Sequence, residues 1–244
     1  MRAMILCAGL GTRLQPITNS IPKPMIPVAG KPLVEHQIRW FAKHGINEIA
    51  INLHHLPDVI TNYFRDGSKF GVKLLYSHEP TLLGTAGGVK QVEKFFDGTF
   101  VVFYGDNYTD FDLKEMIAYH KKHKAVATIM MRKRPRKAKV SSIIELDASG
   151  QVTKFIEKPD PALAESQPPE ILSNNGIYVL EPEVLAFIPP GKFYDFGANV
   201  FPDLLKHNKK VMGYVSDVFW CELGTLEKYE SAKHEIEKRL VHKA

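Results

Sequence analysis

The sequence predicts an α/β fold of three layers, helices on both faces of a mostly parallel central sheet, with a small region built around a β-hairpin. Three observations predict it. Short runs rich in Ile, Val, Phe and Tyr alternate with longer segments of helical period, the pattern of strands joined by crossover helices. After residue 140 the pattern changes to two short strands around a tight turn. The chain also has 244 residues, 44% hydrophobic and 24% charged, enough to bury a core of its own.

The elements follow in order. A strand is expected over 3–6, then a helix over 32–44, where Leu33, Val34, Ile38, Phe41 and Ala42 share one face and Gly45 ends it. Strands are expected over 48–53, 72–77 and 100–104. A second helix, over 112–123, takes Asp112 as its N-cap and buries Leu113, Met116, Ile117 and His120; the histidine reads as packed rather than as a ligand. A strand over 125–131 follows. Strands over 142–146 and 152–156 flank Asp147-Ala148-Ser149-Gly150, whose Asp and Gly suit a hairpin turn. The Pro-, Ala- and Glu-rich stretch 159–170 reads as an exposed loop, 177–180 and 211–215 as strands, and 226–239 as a closing amphipathic helix. Neither a linker nor a repeat interrupts this order, so one domain over 1–240 is expected, in halves 1–130 and 131–240.

The formal net charge is +5, and Arg132, Lys133, Arg134, Arg136, Lys137 and Lys139 crowd around Pro135. Such a run serves as a solvated loop, a phosphate neighbourhood or a nucleic-acid patch. It lacks interleaved aromatics and sits in no recognisable module, so no nucleic-acid partner is expected. Cys7 and Cys221 stand apart, without metal-ligand spacing, as in a reducing compartment. The apolar run from Ala3 is broken by Gly9, Gly11 and Arg13, and no stretch approaches the roughly 20 apolar residues that cross a bilayer. A cytoplasmic protein without membrane association is expected; a homo-oligomer is left open.

The most informative segment, Ala8-Gly9-Leu10-Gly11-Thr12-Arg13-Leu14, follows the first strand. Small residues there let backbone amides approach a polyphosphate, and Arg13 adds a delocalised cation; a tight strand-to-helix turn is the plainer alternative. Leu14 stands where a dinucleotide loop has its third glycine, and no Gly-Lys-Ser/Thr follows. Pro22-Lys23-Pro24 holds a lysine between two restricting prolines, which favours a fixed phosphate contact. Asp106, past the apolar strand 100–104 and Gly105, lies at the carboxyl edge of the sheet, where ligands of open α/β sheets bind. It can cap a helix or hold Mg²⁺ against phosphate.

The ordered set of that loop, Pro22-Lys23-Pro24, Gly84-Thr85-Ala86-Gly87-Gly88, Gly105-Asp106-Asn107, Glu157-Lys158-Pro159, Asn174-Asn175-Gly176-Ile177-Tyr178 and Trp220-Cys221-Glu222-Leu223-Gly224 resembles the sugar-1-phosphate nucleotidyltransferases. Each motif is weak alone; their order over nearly the whole chain is specific, and it is most similar to the mannose-1-phosphate guanylyltransferase branch. The resemblance implies a Rossmann-like fold in which the first half binds nucleoside triphosphate and the second sugar 1-phosphate. Ala8, Gly9, Gly11, Thr12, Arg13, Glu79, Gly84 and Thr85 would then line the nucleotide; Asn107, Glu157, Lys158 and Asn174 the sugar phosphate; Asp106 and Glu222 would hold Mg²⁺. Arg13, Lys23 and Lys158 would neutralise charge during in-line displacement at the α-phosphorus, a reaction that asks for positioning rather than a nucleophilic side chain.

The stretch from Glu79 resembles the base-recognition segment of guanylyltransferases, where a carboxylate can accept from guanine N1 and N2, so GTP is the expected donor. A surface residue before Pro80 is the other reading of Glu79. Three features depart from the family: Glu222 stands where Asp is usual, with an exposed carboxylate or one paired with a nearby lysine as its plainer reading; Ser142 stands where many relatives have glycine; and no left-handed β-helix or acetyltransferase extension follows the last helix, as expected of a single activity. A non-catalytic relative that keeps the pocket, or a uridylyl-, thymidylyl- or cytidylyltransferase of the same family, is the competing reading.

Overall fold

The computed structural model describes residues 1–135 and 141–241. In chain order its strands are β1 (Arg2–Leu6), β2 (Pro27–Val28), β3 (Lys31–Pro32), β4 (Glu48–Leu53), β5 (Lys73–His78), β6 (Phe100–Tyr104), β7 (Asn107–Thr109), β8 (Ala127–Pro135), β9 (Ser142–Leu146), β10 (Val152–Glu157), β11 (Glu170–Leu180), β12 (Val211–Val215) and β13 (Trp220–Glu222). Its helices are α1 (Leu33–Lys43), α2 (Pro57–Phe64), α3 (Gly84–Gln91), α4 (Leu113–His123), α5 (Pro161–Glu165), α6 (Phe201–Lys206) and α7 (Leu226–Val241). The class is the expected one, a Rossmann-like α/β chain with a mostly parallel central sheet, antiparallel pairs entering through its later strands.

The chain packs as two compact units that do not follow a single cut. One comprises Met1–Leu82, Phe103–Phe111 and the chain from Phe219; the other Leu83–Val102 and Asp112–Val218. In the first, β1, β4 and β5 run parallel, with Ile5 opposite Ile51 and Ile51 opposite Tyr76. The middle residues of β1 and β4 are wholly buried, which is why both read as unbroken apolar runs. Helix α1 buries Leu33, Val34, Ile38 and Phe41 as its period requires. It stops where Gly45 takes a φ of +77° and donates to Ala42 O at 3.0 Å, while Ile46 N reaches Phe41 O. Helix α7 lays Tyr229, Ala232 and Ile236 against Leu14, Tyr108 and Leu223.

In the second unit β9 and β10 form the expected hairpin: Asp147 Oδ1 accepts from Ser149 N, Ser149 Oγ and Gln151 N, and Gly150 has a φ of +83°. Strand β8 pairs antiparallel with β11 and parallel with β12. Asp112 caps α4, its carboxylate accepting from Lys114 N at 3.0 Å. His120 is packed, 1% exposed between Thr128 Oγ1 at 2.8 Å and Glu181 Oε1 at 3.0 Å, and burial pulls its pKa down.

Two expectations are corrected here. The stretch 159–170 contains α5, capped by Asp160, and the start of β11, which begins at Glu170 rather than 177. Its first residues pair with Arg132–Pro135, so half of the basic run is paired strand and not loop; Arg136, Lys137 and Lys139 lie outside the described residues. Among the described residues no helix is long and apolar enough to cross a membrane.

Candidate functional site

In the first unit the glycine loop is set by a backbone contact. Gly105 N donates to Leu6 O at 2.9 Å, and a Cβ at position 105 would stand 2.6 Å from that oxygen and 2.9 Å from Cys7 Sγ. Glycine therefore allows the ends of β1 and β6 to touch, and the loop after β1 starts beside Asp106. A polar chain fixes the same end of the sheet: Cys7 N donates to Asn52 Oδ1 at 2.8 Å, and Asn52 Nδ2 to Glu79 Oε1 at 2.7 Å. Glu79 is 0% exposed, so it is an internal anchor and not a surface residue, and it presents no edge to a ligand in this conformation. Gly9 and Thr12 are exposed and Ala8 buried; Gly11, at a φ of +67°, accepts through its carbonyl from Thr18 Oγ1 at 2.9 Å.

The charged groups gather around that loop. Lys23 lies in a short 3₁₀ turn after Pro22, is 9% exposed, and donates through Nζ to the Asp106 carboxylate. Asp106 O accepts from Leu223 N at 2.8 Å, and pairing of β7 with β13 sets Glu222 opposite Asn107. The side chain of Asn107 is buried and its carbonyl accepts from Gln37 Nε2 at 2.7 Å. Glu222 accepts from Lys228 Nζ at 2.6 Å and lies 3.6 Å from Arg13 Nη2, whose side chain is 65% exposed. Two carboxylates and three cations thus converge from four separated segments. Gly224 makes room for them, since a Cβ there would fall 2.0 Å from Glu222 Oε1. Among the described residues no three His, Cys, Asp or Glu side chains cluster as a complete metal site.

In the second unit Gly84 opens α3 at a φ of +74°, where a Cβ would meet Tyr194 O at 2.7 Å. Tyr194 O accepts from Ala86 N and Gly87 N, and Asp195 Oδ1 accepts from Thr85 N and Thr85 Oγ1, both at 2.9 Å. The first turn of α3 is thus capped by the segment 194–195 of the same unit. Glu157 ends β10 with Oε2 closed from solvent and, among the described residues, without a hydrogen-bond partner. Burial raises its pKa to about 7, the Asp195 charge adding to the rise and Lys158 opposing it. Lys158 is exposed, at a φ of +47°, and its N donates to Ser141 O at 2.7 Å. Asn174 is turned onto its own strand: Nδ2 donates to Tyr178 OH at 2.7 Å, and Oδ1 accepts from Gly176 N at 2.8 Å. Ser142, wholly buried, accepts from Asn174 N at 2.9 Å, which gives this departure from glycine a structural use.

A family model described as nucleotidyl transferase matches residues 2–239. The chain belongs to that family. It is 41% identical over 246 residues to a UTP–glucose-1-phosphate uridylyltransferase of Synechocystis sp., covering 95% of this chain and 62% of that protein. It is 34% identical over 229 residues to a mannose-1-phosphate guanylyltransferase of Mycobacterium tuberculosis, covering 93% of this chain and 62% of the relative. The chain therefore spans somewhat under two thirds of these curated relatives. In fold it is similar to a crystal structure of UDP-glucose pyrophosphorylase complexed with UDP-glucose, with a TM-score of 0.82, 20% identity and 98% coverage of both chains.

As a nucleotidyl transferase family member, the chain brings together Arg13 with Glu222 and Lys23 with Asp106, pairs that stand far apart in sequence. It buries Glu79 and binds Asn174 to itself. Sequence reasoning missed Asn52 and Asp195, and left open a lysine near Glu222 without naming Lys228. Only the place of Asn52, at the carboxyl end of a strand, offered a signal for finding it.

Proposed function

We propose that this chain transfers a nucleotidyl group from a nucleoside triphosphate to a sugar 1-phosphate, yielding a nucleotide-sugar and pyrophosphate. The observation that supports it most is the cluster of Arg13, Lys23, Asp106, Glu222 and Lys228 beside the glycine loop, in a chain of this family. In this reading a phosphate oxygen of the sugar 1-phosphate attacks the α-phosphorus and the bond to the β-phosphate oxygen breaks. Pyrophosphate leaves, and no proton need be moved. Arg13 and Lys23 offset charge on the departing pyrophosphate, Lys158 offsets it on the incoming phosphate, and Glu157 meets the sugar hydroxyls. The contact of Asn174 with the sugar would require its side chain to leave Tyr178.

Asp106 and Glu222 suit Mg²⁺ by chemistry, two hard carboxylates in a set short of a full shell, as befits an ion that completes its coordination on phosphates and water. Bound there, the ion would supply charge neutralisation between the reacting phosphates. The cations now on these carboxylates, Lys23 on one and Lys228 with Arg13 on the other, would have to yield to it.

UTP is the donor this reading favours. The 41% identical relative is a uridylyltransferase by name, and Glu79, on which guanine recognition would rest, is enclosed and bonded to Asn52. GTP is the second reading, supported by the guanylyltransferase relatives at 34% identity. A matrix of nucleoside triphosphates against sugar 1-phosphates, read by pyrophosphate release, tests both. Release with UTP above GTP is expected. Nucleotide binding without release for any pair would sink the enzymatic reading in favour of a regulatory one.

A further inference from the structure

We propose that Gly197 is a positioning residue: its missing side chain is what lets the Glu157 carboxylate lie where it does, and that placement sets the affinity for the sugar. The inference rests on the reading, given above, that Glu157 meets sugar hydroxyls. A Cβ built at position 197 would stand 2.4 Å from Glu157 Oε2, 2.8 Å from its Cδ and 3.2 Å from its Cγ. These are the nearest atoms, and all belong to one side chain. Gly197 has no positive φ, so alanine is compatible with the backbone there, and in a helical turn it would ordinarily be favoured. The nearest obstacle to a side chain at 197 is therefore Glu157 itself.

One of the two must give way, and the backbone is the better held. Gly197 sits in a π-helical turn, Phe196–Val200. Ahead of it, Phe196 N donates to Thr85 Oγ1 at 2.9 Å and Asp195 accepts from Thr85 twice. Behind it, Asn199 N and Val200 N both reach Asp195 O, and Asn199 Oδ1 accepts from Asp195 N. The Phe196 ring is wholly buried against Tyr178 and Phe201. The carboxylate, at the free end of a flexible side chain with Oε2 unbonded, has no such hold. A methyl group at 197 would turn Glu157 out of its place and leave the turn intact.

The test is kinetic and structural together. Gly197→Ala should raise KM for sugar 1-phosphate by roughly ten- to hundredfold, the value of one hydrogen bond to a charged group. KM for nucleoside triphosphate should stay within about twofold, since that binding energy comes from other residues. Glu157→Asp, which withdraws the carboxylate by one methylene, should recover part of the loss in the Gly197→Ala background and cost affinity in the wild-type background. An unchanged sugar-phosphate KM, a parallel rise in both KM values, or additive effects of the two substitutions would overturn the proposal. Carbon-13 carboxylate NMR without substrate gives a readout independent of turnover: Glu157 should titrate near 7 in the wild type and toward the ordinary carboxylate range in Gly197→Ala. Lys158 and Asp195, the charged groups acting on it, are kept in both proteins. If no sugar phosphate turns over, the functional reading fails, and this titration still decides the placement. If Gly197→Ala folds poorly, Tm is compared in a Glu157→Ala background. Alanine at 197 should cost nothing there, and a persistent loss would assign the obstacle to something other than Glu157.

Discussion

Asp106 and Glu222 carry most of what this molecule is expected to do, and both are neutralised by lysines in the structure. Asp106→Asn keeps the shape but removes the anionic oxygen facing Lys23, so turnover should fall at least a hundredfold while far-UV circular dichroism stays unchanged. Near wild-type activity at ordinary Mg²⁺ would leave Asp106 as a partner of Lys23 only. Glu222→Ala should raise the Mg²⁺ concentration for half-maximal rate, with Glu222→Asp recovering part of the loss. Lys228→Gln, by releasing the carboxylate from its 2.6 Å contact, should lower that concentration. A Mg²⁺ dependence that ignores all three changes would put the second ligand elsewhere. Glu157 makes a pH prediction. Its pKa is raised from 4.5 to about 7 in the folded chain, so below about 4.5 it is protonated folded and unfolded alike and its full contribution to stability is present. That contribution is lost as pH rises through about 7. Relative to Glu157→Gln, the wild-type Tm should therefore decline between pH 5 and 7.5, and parallel profiles would refute the assigned burial. The motifs named these residues, and a nearby lysine on Glu222 was a reading the sequence left open; that the lysine is Lys228 follows from the short turn between β13 and α7.

Elements were legible where local chemistry sufficed. The cap of α4 is an example: Asp112 precedes an apolar stripe, and its carboxylate does accept from Lys114 N. Asp112→Ala should cost about 1 kcal/mol in urea denaturation, the ordinary worth of an N-cap. A loss below a few tenths would mean that packing of Leu113 and Met116 holds the helix start without it. The hairpin 142–157 was legible for the same reason, since Asp147 and Gly150 satisfy their own turn. Strands β7 and β13 were not. Each is three residues long, and they exist by pairing across more than a hundred residues, with Trp220 opposite Thr109. The early start of β11 escaped notice too, because the polar residues 170–174 become strand only by hydrogen bonding to β8.

At the scale of the whole molecule, Cys7 reports on global unfolding. It is 2% exposed, and burial, with the Asp106 charge adding, pushes its thiol well above the ordinary range. A thiol reagent should therefore modify at most Cys221 in the native protein, and Cys7 only at the rate at which the surrounding sheet opens. Rapid modification of both would show that the end of β1 opens without global unfolding.

The sequence by itself determined the α/β class, the main strands and helices, and the family, because each is written in local periodicity or in short motifs whose order survives without coordinates. The tertiary structure alone decided which charges meet. It set Lys23 on Asp106, Arg13 beside Glu222, Asn52 on Glu79, and Gly197 under Glu157. The physical reason is range. Secondary structure and caps are satisfied within a few residues, whereas most of these ion pairs and close approaches depend on side chains that the fold brings together from separated parts of the chain.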